Sequence, residues 1–598
     1  MRKQTKVVAV ASAAALLAIG GAMTSFAAQG WVEEDGTWYY YDKDGSRVEN
    51  EWKKSGDNWF WLDGEDGGAM ATDKLIDDDD NTYYVDSNGV MVTNTWVKVV
   101  NEDQDDDDDP AEYRYYYMQA SGKAYKASDN SSNTKFRTID GKRYAFDDDG
   151  VMLYGWVTED GELATGDDGW KDAKYYCGSW EDGAMKTGWQ KITVYDDEDG
   201  KDDDYDYWFN FKSNGEKRAS KKNWKNNGKY YNFNSNGVMV YQWAEVSTGS
   251  SASVSNWQYF NSPEDGARQT KGWFKVVAPG NDNDNTFKED LTDSQTFAKK
   301  LADDEDDRWF YADSKGNLYE GVIKSIKGKY YGFYPDGSSK AGAMLTGLCI
   351  LDMHSDGTIA QVVEEDIDSD ALDDIMDGKY TGDVLDQADW NDGSHDIRLY
   401  YFGNNEDSDG TMKTGNVTVN LDGSSYSFNF QKTGSATSGR GQGVTGIDDK
   451  KYVYNYGCRI KADSDDKYQL VEIWNSGTGN TSINTANVHV EKLDAPAFTH
   501  EYTNKENENV NAAIPKAKHG GVLRLVNTTG NIQKNKTAVK DGNDCYYYVD
   551  SYEPKLYTDN KTLKAADKDS SVTDWKTLLA DMKKADKEAA DTEADDAE

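Results

Sequence analysis

Short apolar runs alternate with polar turns along almost the whole chain, and the runs are short and ring-rich enough to be strands. The stretch Gly30 to Trp52 sets the unit. Trp31 opens one run, Asp35-Gly36 marks a turn, Trp38-Tyr39-Tyr40-Tyr41 forms a second run, Asp44-Gly45 closes it, and Trp52 starts the next copy. Two apolar runs joined by a short Asp/Gly turn read as a β-hairpin. Side chains alternate within the second run, so Trp38 and Tyr40 share one face and Tyr39 and Tyr41 the other. A lone hairpin is marginal in water, but several in series can bury their rings against one another.

Degraded copies follow. The second has Trp52, Trp59-Phe60-Trp61 and Gly68-Ala69-Met70; the third keeps Tyr83-Tyr84 and Asn88-Gly89-Val90-Met91 and ends at Trp96. Gly-Trp returns at Gly155-Trp156, Gly188-Trp189 and Gly272-Trp273, and a clean copy runs from Trp224 through Tyr230-Tyr231 and Met239 to Trp243. After Gly347 the leading Trp disappears, while rings persist at Tyr400-Tyr401-Phe402, Tyr426, Phe428, Tyr452, Tyr454 and Tyr546-Tyr547-Tyr548. These later copies read as structural repeats that have lost a ligand-facing residue. The pattern predicts an all-β fold: an elongated β-hairpin repeat solenoid with irregular acidic loop insertions and a short C-terminal helix.

The insertions 101–112, 196–206, 247–256, 278–308 and 352–398 all fall in the same turn, between the leading strand and the ring-bearing strand. Most are acidic, as at Asp105–Asp109 and Asp202–Asp204, and short helices are expected at Thr286–Leu301 and Ala371–Met376. Residues 461–541 carry the weakest signal. Strands are expected there only at Tyr468–Trp474 and Gly521–Val526, with polar loop between them. The expected organisation is a signal peptide over 1–27, hairpin repeats over 28–347, and degenerate repeats with a long insertion over 348–460. An irregular β region ending in a last hairpin follows over 461–569, then a helix (Val572–Lys584) and an acidic disordered tail over 570–598.

Composition narrows the class. With 40 Tyr and 19 Trp against 7 Pro, the chain stacks or displays rings rather than building aliphatic cores. A net charge of −43 argues against nucleic acid, whose phosphates need a basic surface, and favours cationic ligands. Arg2, Lys3 and Lys6 precede an apolar stretch from Val7 to Ala22 and a small-x-small site at Ser25-Phe26-Ala27, which together predict secretion with cleavage after Ala27. No later stretch is apolar enough to span a bilayer. Cys177, Cys349, Cys458 and Cys545 lack metal-ligand spacing and are expected as unpaired apolar fillers. His354, His395, His489, His500 and His519 carry no metalloprotease or zinc spacing. The calcium-loop imitations at Asn405–Gly410 and Asp366–Asp370 each lack a required residue, so no cofactor is expected beyond weak, diffuse calcium binding by acidic loops.

The order Gly-Trp, turn, Trp-Tyr-Tyr, Asp-x-x-Gly, Met and a second Trp resembles the choline-binding (cell-wall-binding) repeats of Gram-positive surface proteins, with glucan-binding repeats as close variants. The likeness is good over 30–347 and faint over 399–460 and 541–560. It implies a β-hairpin solenoid with ligand sites between successive hairpins, two rings coming from one repeat and one from the next. On this pattern Trp31 and Trp38 form one pair with Trp61 as third ring, and Trp52 with Trp59, Trp189 with Trp208, and Trp224 with Tyr230 form further pairs. Trp96, Trp156, Trp243 and Trp273 match the first ring only. The resemblance implies a protein at the cell wall, bound to choline or glycan moieties of a wall polymer such as choline-bearing teichoic acid; the N-terminal signal adds secretion, and with no recognisable amidase, lysozyme or peptidase domain flanking the repeats a non-enzymatic binder is expected. Two alternatives stay open: an adhesin for glucan or host glycan, and a surface scaffold whose loops contact a protein partner.

Overall fold

The Asp-Gly turns do what the spacing requires. In the computed structural model Asp35 (φ 51°) and Gly36 (φ 86°) both adopt left-handed backbone, the geometry that reverses a two-residue hairpin without splaying its strands. Gly30–Glu34 therefore pairs antiparallel with Thr37–Tyr41, setting Trp31 opposite Tyr40 and Glu33 opposite Trp38. The structure describes residues 29–104, 110–127, 133–197, 201–247, 253–279, 286–287, 297, 306–390, 394–405, 407, 409–435, 437–485 and 487–595. Strands are the main regular structure among these, and they form antiparallel hairpins. The same register recurs where Trp52 faces Trp61, Trp96 faces Tyr117, and Trp273 faces Tyr311.

One backbone hydrogen bond recurs between neighbouring hairpins. In at least four repeats the amide of the closing Met donates to the carbonyl of a ring-run residue in the preceding repeat: Met91 to Trp59, Met152 to Tyr115, Met239 to Trp208 and Met344 to Trp309, at 2.7–2.9 Å. The Met side chain then lies under the next turn. A Cβ on Gly89 would stand 2.8 Å from Met70 Cε and displace the end of that side chain, and the φ of 77° is what calls for glycine at this turn position.

The described residues fall into two units, 1–241 with 260–267 and 242–259 with 268–598. In the first, small ring-lined clusters lie between hairpins, such as Ile139, Tyr144, Phe146 and Met152. The second has larger cores. One gathers Trp243, Trp257, Phe310, Leu351 and Tyr400, and another gathers Ile350, Leu372, Leu399, Phe428 and Ile473.

Two insertions are more ordered than their polarity suggests. Of the insertion 196–206, Asp196 and residues 203–206 extend the hairpin, whose strands run Gly188–Asp196 and Asp203–Phe211. Asp196 is buried there but accepts from Tyr207 Oη (2.5 Å) and Lys201 Nζ (2.8 Å), so the acid is paired inside the sheet. In 352–398, Ile359–Glu364 adds a strand beside Leu348–Met353, and Ser369–Asp377 is a helix that contains the expected Ala371–Met376. The acidic run 105–109 and most of the helix expected at Thr286–Leu301 lie outside the described residues.

The region 461–541 departs most from expectation. Tyr468–Asn475 is the centre of a three-stranded sheet flanked by Val488–Leu493 and Val522–Asn527, and a five-stranded sheet joins His500–Thr503, Asn509–Ala513, Glu553–Thr558, Tyr546–Asp550 and Lys536–Lys540. Fully buried Glu472 lies within the first sheet and accepts from the amides of Lys518, His519 and Gly521 at 2.6–2.9 Å. The C-terminal helix runs Trp575–Asp595, through the stretch expected to be a disordered tail. Leu578 and Met582, one turn apart, bury against Val510, Tyr548 and Leu556, and Asp574 accepts from the Thr577 amide to cap the start. All four cysteines are unpaired, three of them buried. No described helix is long and apolar enough to cross a membrane.

Candidate functional site: ring cages between successive hairpins

The leading Trp of a complete repeat packs on its cross-strand ring and on one ring of the next hairpin. Trp31 lies edge-on to Tyr40 at 5.4 Å and to Phe60 at 5.2 Å between ring centroids. Trp52 meets Trp61 at 5.3 Å and Tyr83 at 5.1 Å; Trp96 meets Tyr117 at 5.3 Å and Tyr144 at 4.8 Å. The ring supplied by the following hairpin is the third residue of its ring-bearing strand, as at Phe60, Tyr83 and Tyr144. A strand sends successive side chains to opposite faces, so that residue points back and its immediate neighbours do not. The third ring beside Trp31 is therefore Phe60, and Trp61, one residue on, faces the other way onto Trp52. Trp38 shares the face of Trp31 and lies opposite Glu33. Trp59 holds the matching place in the next hairpin, opposite Lys54, and is 40% exposed.

Two cages have the same geometry, one in each unit. Trp189 and Trp208 stand 6.3 Å apart with planes at 84°, and Tyr231 closes on Trp189 at 5.0 Å. Trp273 and Trp309 stand 6.3 Å apart at 86°, and Tyr331 closes on Trp273 at 4.8 Å. Each corner is backed by a phenylalanine, Phe233 at 5.6 Å and Phe333 at 5.7 Å from the leading Trp. A lysine sits opposite the second Trp in register, Lys191 facing Trp208 and Lys275 facing Trp309. A carboxylate from two hairpins downstream joins each pair. Glu264 accepts from Trp208 Nε1 (3.0 Å) and Lys191 Nζ (2.9 Å); Asp407 accepts from Trp309 Nε1 (3.1 Å) and Lys275 Nζ (2.8 Å). The lysine and then the indole hold both carboxyls below the usual carboxylate range, so both are anionic at neutral pH.

Trp224 and Tyr230 do not act as a pair. The strand Lys221–Asn226 bulges between Lys221 and Trp224, with Asn223 at φ 56° and its amide bonded to Asn232 Oδ1. The bulge sets Trp224 opposite Tyr231 and turns it into the Trp189 cage at 5.7 Å, while Tyr230 lies opposite Lys225. At Trp156 the cage already holds a cation from the chain itself. Lys217 stands where neighbouring repeats have Met, its Nζ 5.4 Å from the Trp156 ring centroid and donating to the carbonyls of Trp170 (2.6 Å) and Lys171 (3.0 Å). Burial lowers its pKa to about 8. Trp243 is fully buried and donates to Val277 O, a core role.

Sequence reasoning missed Phe60, Tyr231, Trp309, Lys191, Lys275, Glu264 and Asp407 as parts of these cages. The lysines had a signal, the Gly-Trp-x-Lys recurrence at Gly188–Lys191 and Gly272–Lys275. The carboxylates had none, since they arrive from two repeats away.

The other candidate groups have local work. Asp407 and Asp409 bond to Lys275 and Lys413, and Asp368 caps the Ser369–Asp377 helix by accepting from Ala371 N. His395 Nδ1 lies 2.7 Å from Asp352 Oδ2. Among the described residues, no three His, Cys, Asp or Glu side chains converge as a metal-ligand set. A corner of ring faces beside a fixed anion attracts an organic cation by about 0.5–2 kcal/mol per good ring contact, without needing hydrogen-bond donors on it.

The model for the "Putative cell wall binding repeat" matches residues 29–46 and 74–91. No curated protein matches the chain. Among solved structures, the modular autolysin LytC of Streptococcus pneumoniae is 16% identical over 55% of this chain, with a TM-score of 0.28; the match spans 56% of the autolysin, little more than half its length. The choline-binding domain of CbpL from S. pneumoniae is 24% identical over 36% of this chain and 88% of that domain, with a TM-score of 0.22. Choline binding protein F of S. pneumoniae is 16% identical over 73% of this chain and all of that one, with a TM-score of 0.18. At residues 29–46 and 74–91, then, the chain carries repeats that match the choline-binding, or cell-wall-binding, type.

Proposed function

We propose that this is a secreted, non-enzymatic cell-wall-binding protein that attaches through its ring cages to choline-bearing teichoic acid or a related wall polymer. The observation that carries this reading is the near-perpendicular Trp pair closed by a Tyr, present as Trp189/Trp208/Tyr231 and again as Trp273/Trp309/Tyr331, each beside a buttressed carboxylate. A trimethylammonium group has no N–H to donate and fits ring faces rather than acceptor oxygens. One such cage gives weak binding, about millimolar, and several on one polymer gain by effective concentration.

Retention on purified choline-bearing cell walls tests the reading. The protein is expected to bind, to elute with free choline, and to bind at least about tenfold more weakly when both Trp208 and Trp309 are changed to Ala. Elution by dextran but not by choline overturns it in favour of a glucan ligand. Release of soluble wall fragments during the incubation overturns the non-enzymatic part.

A further inference from the structure

A cavity of about 190 Å3 lies outside the cage corners, where the turn 147–154 of one repeat and the turn 178–183 of the next meet the strand Tyr113–Met118. One wall is aromatic. Trp180 lies 6.4 Å from both Tyr113 and Tyr115, its plane only 38° and 34° from theirs, so the three rings form a shelf and not a corner. The remaining wall carries the carboxylates Asp147 and Asp149 together with the Arg114 guanidinium and the apolar side chains Val151, Leu153 and Leu163. Trp180 comes from the closing turn, a position that supplies no ring to the cages, and its neighbour Glu181 is exposed.

The two walls select one ligand chemistry. Ring faces attract any organic cation, but only a cation with N–H on its charged nitrogen adds charge-assisted hydrogen bonds from that nitrogen to carboxylate oxygens; the choline hydroxyl can donate, its quaternary nitrogen cannot. The local charge agrees. Asp147, Asp148, Asp149 and Glu181 stand against Lys98 and Arg114, and Arg114 is already bonded to Asp103. The shelf also holds an alkylammonium of the chain itself, with Lys98 Nζ 4.4 Å from the Tyr113 ring centroid. The cavity is smaller than the ~300–1,000 Å3 that encloses a drug-sized ligand, which suits a head group on a longer chain. We propose that the Trp180 pocket is a second ligand site, specific for a primary ammonium group and distinct from the ring cages.

The proposal stands apart from the cage reading, and so does its test: calorimetric titration of the full chain with ethanolamine and, separately, with choline, at low salt. Ethanolamine affinity is expected to fall at least about tenfold in Trp180→Ala and in Asp149→Asn, an exposed residue whose change leaves the turn's hydrogen bonds in place, while choline binding stays at the wild-type level. Affinity for ethanolamine should rise from pH 5 to 7.5. Burial raises the Asp147 carboxyl to about 6, and the groups around it are Asp148, Asp149, Arg114 and Tyr116. Ethanolamine bound equally by wild type and both variants overturns the proposal. So does choline displacing ethanolamine from this pocket at equal concentration, or a neutral oligosaccharide binding there in its place.

Discussion

At Lys217 a single substitution within the repeat pattern changes how a hairpin layer responds to pH. The residue fills the place of the closing Met, its Cδ 2.8 Å from where a Cβ of Gly237 would stand, and it is 8% exposed. An unfolded lysine titrates near 10.4, and burial lowers this one to about 8. Between those values the unfolded chain binds more protons than the folded one, so stability rises with pH across that window; below about 8 both states are protonated and the cost is constant. Lys217→Met should remove the rise between pH 8 and 10 and stabilise the first unit near pH 7 by about 1 kcal/mol, read from urea unfolding at both pH values. Identical pH profiles for the two proteins would contradict this. The lysine's bonds to the Trp170 and Lys171 carbonyls keep the predicted gain small, because the variant leaves both acceptors without that donor.

At the scale of elements, Glu472 shows the cost of a buried charge that is fully paired. It accepts three backbone amides, those of Lys518, His519 and Gly521, and thereby fixes the turn beside Trp474, on which His519 stacks at 4.2 Å. Glu472→Ala should cost about 2–4 kcal/mol and speed hydrogen exchange at those three amides, with the Trp189 cage unchanged; unaltered exchange would show the turn is held otherwise. What the sequence made legible follows from strand geometry. Ring runs and Asp-Gly turns specified the hairpins and their cross-strand partners, so Trp31, Trp52, Trp96, Trp189 and Trp273 could be placed as leading residues. The third ring was misplaced by one, Trp61 for Phe60, because which side chain points back depends on the pairing register, which a ring run does not encode. Trp224 was paired with Tyr230 because the bulge at Asn223 has no signal beyond a residue tolerant of left-handed backbone. The strands at Val488–Leu493 and Asn509–Ala513 were read as loop because they themselves bury little, Leu493 alone in the first and only Val510, Ala512 and Ala513 in the second, leaving little apolar periodicity to see.

At the scale of the whole molecule, each unit carries one cage with the same corner, lysine and carboxylate, so neither cage draws a ring or a charge from the other unit. A chain with net charge −43 draws cations to its surface generally, and that background falls with added salt, whereas capture in a ring corner is far less sensitive to it. Choline binding should therefore persist at ~0.5 M salt. The most direct measurement of the central claim is a calorimetric titration of the full chain with choline at that salt, repeated for Trp208→Ala, Trp309→Ala and the double variant. The account predicts millimolar binding in the wild type, a loss of sites in each single variant, and a larger loss in the double variant. A chain that takes up no choline at ~50 mM, or a double variant that binds as the wild type does, would contradict it.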